Sequence, residues 1–410
     1  VKFFQVKTVE ETFDLIESHI SRVNDKEVVS IWKASGRIVA EDVMVRENVP
    51  SFRRSSVDGY AVKGVDTFGA SESMPAFLSI KGEVKMGEQV TYTLQNGEAV
   101  YVPTGGMLPN GSDTMVMIEY CEKTNGLLNV YRQSVPNEHV IFPGEDLKKG
   151  EILVKEKTKL RPQEIGALAS QGIEEITVIR QPIVGYLSTG DEIVPFNQEA
   201  ISIGEIRDSN ALTIGVLTEQ WGFSFIYGGI VSDNEYELKK RAEELLEKVD
   251  CLVLSGGSSV GTKDYSLSVI DSLGEPGVFV HGVAVKPGKP TILACAKEKS
   301  IIGLPGHPAS AMIIYSLFGK EILSKLAGRE MKRQFNHFRA ISTKRLPSVT
   351  GRTDYIRVKL IEEEGQMYAE PVHGKSSLLY TLIASDGLLE IPSAKEGIEK
   401  GEEVRVIKLD

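Results

Sequence analysis

The run Cys251-Leu252-Val253-Leu254 is apolar throughout, with no polar alternation, and reads as a strand buried on both faces of a parallel sheet. It leads directly into Ser255-Gly256-Gly257-Ser258-Ser259, a turn with two positions lacking a Cβ and three small hydroxyls. Such a backbone can approach a ligand closely and cradle an anion. Asp264 follows nine residues after Ser255, at the start of the helical pattern 265–270, where a carboxylate can cap the helix or face a metal beside the cradle. Taken alone, the segment is equally compatible with a glycine-rich connection that binds nothing.

The surrounding chain supplies the context. From residue 176 onward strand and helix patterns alternate: an apolar strand 183–187 ending in Ser188-Thr189-Gly190-Asp191-Glu192, a helix 210–221 with apolar Leu212, Val216 and Leu217, a strand 223–226, Asp233, a helix 235–248, and the strand at 251. This order predicts a right-handed βαβ array with a mostly parallel sheet, whose ligands bind beyond the carboxyl ends of the strands. Glu192, Asp233, the turn 255–261 and Asp264 all fall at those ends. Further on, Lys286 and Lys289 sit three residues apart among prolines in Lys286-Pro287-Gly288-Lys289-Pro290, as oxyanion ligands or as solvated turn residues. His307, between Pro305 and Pro308, reads as a loop-edge residue without assigned chemistry.

The amino-terminal part has a different texture. Thr8-Val9-Glu10-Glu11 is a capping box, followed by Phe13, Ile16 and Ile20 at helical spacing. Residues 50–62 gather two arginines, several serines, Asp58 and Tyr60 around Asp58-Gly59, a turn signal that also fits a solvated hairpin tip. Short alternating stretches at 77–81, 89–93, 99–102 and 114–118 predict a small β module, with Thr104 heading one of its turns as a ligand contact or a cap of its own loop. Arg161-Pro162 opens a helix that Gly172 ends. The expected architecture is a multi-domain α/β and β chain: a helical and mixed linking domain (1–49 and 141–177), an inserted β-rich domain (50–140), a central α/β domain (178–327) and a C-terminal β domain (328–410) with strands at 355–361, 387–391 and 404–407.

Composition narrows the function classes. With 25% charged residues and a formal net charge of −10, a general nucleic-acid binder is disfavoured, and no apolar run is long enough to span a membrane. Cys121, Cys251 and Cys295 have no metal-ligand spacing and read as core thiols of a reducing cytoplasm.

The motifs Ser51-Phe52 with Ser56-Val57-Asp58-Gly59-Tyr60-Ala61-Val62, Thr104-Gly105, Gly144-Glu145-Asp146, Ser188-Thr189-Gly190-Asp191-Glu192, Ser255-Gly256-Gly257 with Gly261 and Asp264-Tyr265, the Lys286 loop, and Leu304-Pro305-Gly306 together span nearly the whole chain. In this order the set resembles the molybdopterin molybdotransferases, whose eukaryotic relative is the gephyrin E domain. The resemblance implies an enzyme that takes adenylylated molybdopterin and molybdate, with Mg²⁺, to molybdenum cofactor and AMP. It implies catalytic roles for Asp58, Thr104, Glu192, Asp233 and Asp264, the last three facing the metal. It places substrate contacts at Asp146, Ser255, Gly256, Gly257, Ser258, Gly261, Lys286, Lys289, Pro305, Arg352 and Ser376. It further implies a homodimer in which Asp58 and Thr104 act in trans, and contact with the molybdopterin adenylyltransferase. Val57 and His307 depart from the residues usual in the family, with small effects on substrate packing expected. Two alternatives share the fold: a molybdopterin-binding scaffold of the gephyrin type, and the adenylyltransferase itself, which has the same Ser-Gly-Gly cradle but not the flanking β domains.

Overall fold

In the computed structural model, which describes residues 6–256, 265–329 and 337–409, the apolar run at 251 lies inside a six-stranded sheet. Its strands are β1 (Ile183–Thr189), β2 (Ser224–Val231), β3 (Cys251–Ser255), β4 (Pro276–His281), β5 (Ile292–Ala296) and β6 (Lys299–Leu304), in the spatial order β2-β1-β3-β6-β5-β4. The first four in that order are parallel, and β5 and β4 extend the sheet antiparallel. Every residue of β3 is buried, and successive side chains enter opposite cores: Cys251 and Val253 one, Leu252 and Leu254 the other.

The first of these cores is closed by α1 (Ser209–Gln220), by the helical run Pro308–Ile314, Tyr315–Gly319 and Lys320–Leu326, and by the helix Val9–His19. The second is closed by α2 (Glu235–Leu246) and α3 (Tyr265–Ser272). The capping box forms as expected, with Thr8 and Glu11 each accepting the other's backbone N–H. The apolar face of that helix, Val9, Phe13, Ile16 and Ile20, packs into the α/β core rather than beside the linking segments.

Of the three apolar residues picked out on the predicted helix 210–221, Leu217 alone faces the core. Leu212 and Val216 are 47% and 54% exposed, while Ala211, Ile214, Gly215, Leu217 and Thr218 are buried. A Cβ on Gly215 would lie 2.8 Å from the Phe225 ring, so the glycine lets α1 lie close to the sheet, with Ile214 and Leu217 packed beside it and Leu212 and Val216 facing outward.

The C-terminal segment closes a barrel. Thr353–Glu363 pairs with Gln366–Pro371, then come His337–Ser342, Glu403–Lys408 and Gly387–Ile391, which returns to Thr353–Glu363. Closure leaves the ring without a free edge, around a core containing Val358, Ala369, Leu389 and Val406. Two of its strands, 337–342 and 366–371, had no clear sequence signal. The short strand Val285–Lys286 adds in parallel to Thr353–Asp354. These parts form one compact unit, Val1–Val29, Gly36–Ala40 and Thr177–Asp410.

The other unit, Ser30–Ser35 and Glu41–Ile176, is built on a second six-stranded sheet in the order Thr114–Met117, Gly59–Val62, Glu98–Val102, Ala76–Glu83, Leu127–Val130, Cys121–Thr124. Two corrections arise here. Asp58-Gly59 is not a hairpin tip but the entry to a fully buried strand, and a Cβ on Gly59 would sit 2.0 Å from the Val116 carbonyl oxygen. Residues 89–93 form no strand, because Thr93 and Leu94 are held by the loop at Asn110 instead of a neighbouring strand. Val43–Met44 pairs with Ile152–Val154, bringing the two linking segments together, and Pro162–Ser170 forms the predicted helix, followed by Gly172 at φ +65°. Among the described residues, no helix is long and apolar enough to cross a membrane.

Candidate active site

At the carboxyl rim of the sheet, register places Ser188, Ser255 and Leu304 side by side at the ends of β1, β3 and β6. The chain leaves β3 through Gly256, at φ +109°, where an added Cβ would meet the Thr189 carbonyl oxygen at 2.2 Å. The Asn210 side chain, in the first turn of α1, donates to Ser255 Oγ at 3.2 Å and to the Gly306 carbonyl at 2.9 Å. Ser255, Gly256 and the buried Pro305 are thereby drawn to one spot. Gly257, Ser258, Gly261 and Asp264 lie outside the described residues.

Of the expected metal-facing acids, Glu192 follows β1 and Asp233 follows β2, both exposed. Their loops are joined, since Asp191 Oδ1 accepts the Asp233 N–H at 3.0 Å. Among the described residues no group of three or more His, Cys, Asp or Glu is placed to hold a metal ion.

Beside the rim lies a cleft of about 850 Å³, lined from the α/β part by Lys286, Lys289, Pro305 and His307 and from the barrel by Arg352, Asp354, Arg357, Lys375 and Ser376. Among the described residues, five cationic side chains thus share the cleft with one carboxylate, Asp354, which is buried and accepts from Arg352 Nε at 2.8 Å. The buried Arg357 donates to Thr381 Oγ1 at 2.6 Å and to the Gly374 carbonyl at 2.7 Å, fastening the loop that carries Ser376. Burial lowers the pKa of the Arg357 guanidinium, but two hydrogen bonds satisfy it. The expected substrate contacts Lys286, Lys289, Pro305, Arg352 and Ser376 therefore share one positively charged cleft. That geometry suits a small oxyanion or a phosphate.

In the other unit, Asp58 and Thr104 meet: the Thr104 N–H donates to Asp58 Oδ1 at 2.8 Å. Around them, Ser55 N–H donates to the Gly106 carbonyl and Arg54 pairs with Ile141. Asp146 N–H donates to the Val49 carbonyl at 3.1 Å, so the Asp146 loop is tied to the segment that leads into Asp58. Asp58, Thr104 and Asp146 are all exposed.

Comparison with known proteins finds matches along nearly the whole chain. Residues 7–172 match the family model for the MoeA N-terminal region (domain I and II), 185–325 that for a probable molybdopterin binding domain, and 339–409 that for the MoeA C-terminal region (domain IV). A molybdopterin molybdenumtransferase of Haemophilus influenzae is 33% identical over 93% of this chain and 93% of its own. One from Nostoc is 30% identical over 98% of this chain and 94% of its own. The crystal structure of a molybdopterin biosynthesis MoeA protein from Pyrococcus horikosii superimposes with a TM-score of 0.82 at 36% identity, covering 98% of this chain and 99% of that one. The chain belongs to the molybdopterin molybdenumtransferase family.

Several residues of the rim and cleft are not among those predicted from sequence. Asp208 is 4% exposed and accepts from Ser188 Oγ at 2.6 Å, Tyr227 Oη at 2.9 Å and Ala211 N at 3.1 Å. Burial, then the Asp208 charge, then the hydrogen bond between them push the Tyr227 phenol well above its usual range, so it stays a donor. An aspartate two residues before the expected helix start was the available signal, as an N-cap. Asn210, Arg357 and Lys375 carried no pattern that separates them from surface residues. His307, set aside as a loop-edge residue, lines the cleft and hydrogen-bonds Ser376 Oγ through Nδ1 at 3.0 Å.

Proposed function

We propose that this protein is the transferase that inserts molybdenum into molybdopterin, taking adenylylated molybdopterin and molybdate and releasing AMP. The observation that carries the reading is the cationic cleft beside the glycine-turn rim: two anions have to be held side by side, and two adjoining sites suited to anions are built from the predicted residues. Lys286, Lys289 and Arg352 supply positive charge for the oxyanion, and Ser376 a hydroxyl. Ser255 and Gly256 offer the pterin nucleotide a closely approachable backbone. The thiols play no nucleophilic part, since burial pushes Cys121 up to about 12, Cys295 up to about 11, and Cys251 up as well.

Magnesium fits the donor chemistry of the rim. Glu192 and Asp233, with Asp264, would hold it through hard oxygen ligands. Bound there, it would neutralise phosphate charge on the nucleotide. The chain's own residues orient the partners: Asp208 and Asn210 fix the rim, and the cleft collects the oxyanion.

The test is product analysis. Purified protein mixed with adenylylated pterin, magnesium and molybdate is expected to release AMP, and Glu192→Gln and Asp264→Asn are each expected to stop that release with the fold intact. Binding without turnover under any divalent metal would favour the scaffold alternative. Turnover of ATP with unadenylylated pterin would favour the adenylyltransferase.

The proposal extends to a homodimer with Asp58 and Thr104 acting in trans. Co-expression of Asp58→Asn and Asp264→Asn chains is then expected to restore part of the activity in mixed dimers. Inactive mixed dimers would assign both acids to a site within one chain.

A further inference from the structure

We infer that His307 is a positioning residue that turns the Ser376 hydroxyl toward a bound oxyanion. The inference rests on the reading that the cleft takes the oxyanion.

Ser376 is held at two points by the segment after β6: its carbonyl accepts the Ala309 N–H at 3.1 Å, and its Oγ lies 3.0 Å from His307 Nδ1. A serine hydroxyl has one proton and two lone pairs, and each imidazole nitrogen is a donor or an acceptor according to tautomer. If Nδ1 accepted, the serine proton would be spent on the ring, and Oγ would show an anion only lone pairs. If Nδ1–H donates, the lone pair is spent on the ring and the O–H is free to point into the cleft. An anion drawn in by Lys286, Lys289 and Arg352 selects the second arrangement, because only there does Ser376 add a donor. The backbone of the Ser376 loop is held in place, since Arg357 donates to the Gly374 carbonyl at 2.7 Å, so what the imidazole sets is the rotation of the hydroxyl itself.

Asparagine supplies the comparison. Its Nδ2 hangs from Cγ as the imidazole Nδ1 does, so His307→Asn keeps a donor at the same place, while His307→Ala removes it. The experiment is calorimetric titration of the full chain with molybdate alone, with thermal melts to confirm folding. His307→Ala and Ser376→Ala are each expected to weaken binding about ten-fold or more, the effect of a hydrogen bond to a charged group. His307→Asn is expected to stay within about two-fold of wild type on the same scale. His307→Ala added to Ser376→Ala is expected to weaken binding no further.

Full additivity in the double variant, an undiminished His307→Ala, or a His307→Asn as weak as His307→Ala each overturns the positioning role. Lys286→Ala and Arg352→Ala separate this from the broader reading. If molybdate does not bind wild type, or binds these two variants as tightly as wild type, the oxyanion does not sit in the cleft and both conclusions fall. If they weaken binding while His307→Ala does not, only the role of His307 falls.

Discussion

Gly256→Ala is expected to reduce pterin-nucleotide binding and turnover by at least about a hundred-fold, the effect of roughly 3 kcal/mol of strain and displacement at the cradle. The residue has φ +109°, and a methyl group there would lie 2.2 Å from the Thr189 carbonyl oxygen and 3.0 Å from its hydroxyl. The backbone cannot easily move aside. Gly256 N–H reaches the Leu304 carbonyl at 3.4 Å, and its own carbonyl accepts from Ser266 Oγ at 3.1 Å. Gly306→Ala is the control, since a Cβ there meets nothing nearer than Gly256 Cα at 3.7 Å. Calorimetry with adenylylated molybdopterin reads the difference. Equal affinity in the two variants would show that the backbone at 256 is not part of the cradle.

The second large effect is expected at Asp208. Asp208→Ala leaves the Ser188 hydroxyl, the Tyr227 phenol and the Ala211 N–H without their acceptor at a site that is 4% exposed. Unpaired buried donors such as Ser188 and Ala211 cost about 1–3 kcal/mol each, whereas Tyr227 is 43% exposed and can turn to water, so the whole loss is expected to come to about 3–5 kcal/mol. The thermal midpoint of the α/β part is expected to fall by roughly 5–15 °C. Tyr227→Phe, which removes one donor and leaves the carboxylate two, is expected to cost about 1 kcal/mol. A Tyr227→Phe loss as large as that of Asp208→Ala would mean that the phenol, not the carboxylate, organises the rim.

What the sequence discloses depends on whether a feature is local. The strand at 251 was legible because a residue buried on both faces leaves an unbroken apolar run, and the capping box because its partners are three residues apart. The convergence of Lys286, Lys289, Arg352 and Ser376 followed from family likeness, not from spacing, since the residues lie up to 90 positions apart. Leu212 and Val216 lie outward although apolar, because close approach of helix to sheet is set by Ala211, Gly215 and Thr218, with Ile214 and Leu217 supplying the buried bulk, a choice of side that residue type alone does not make. The Gly59–Val62 strand was hidden by its turn-like entry, Asp58-Gly59, which answers to the neighbouring Val116 backbone rather than to a tight reversal. Asp208 escaped because its donors come from three separate elements.

Val285–Lys286 is hydrogen-bonded along Thr353–Asp354, one residue from Arg352. Lys286 and Arg352 therefore ride on the same ladder, which fixes the spacing of the two charges. The bond from His307 to Ser376 ties the segment after β6 to the barrel loop beside them. An oxyanion held as proposed would thus meet two charges whose separation is set by backbone pairing rather than by loop motion.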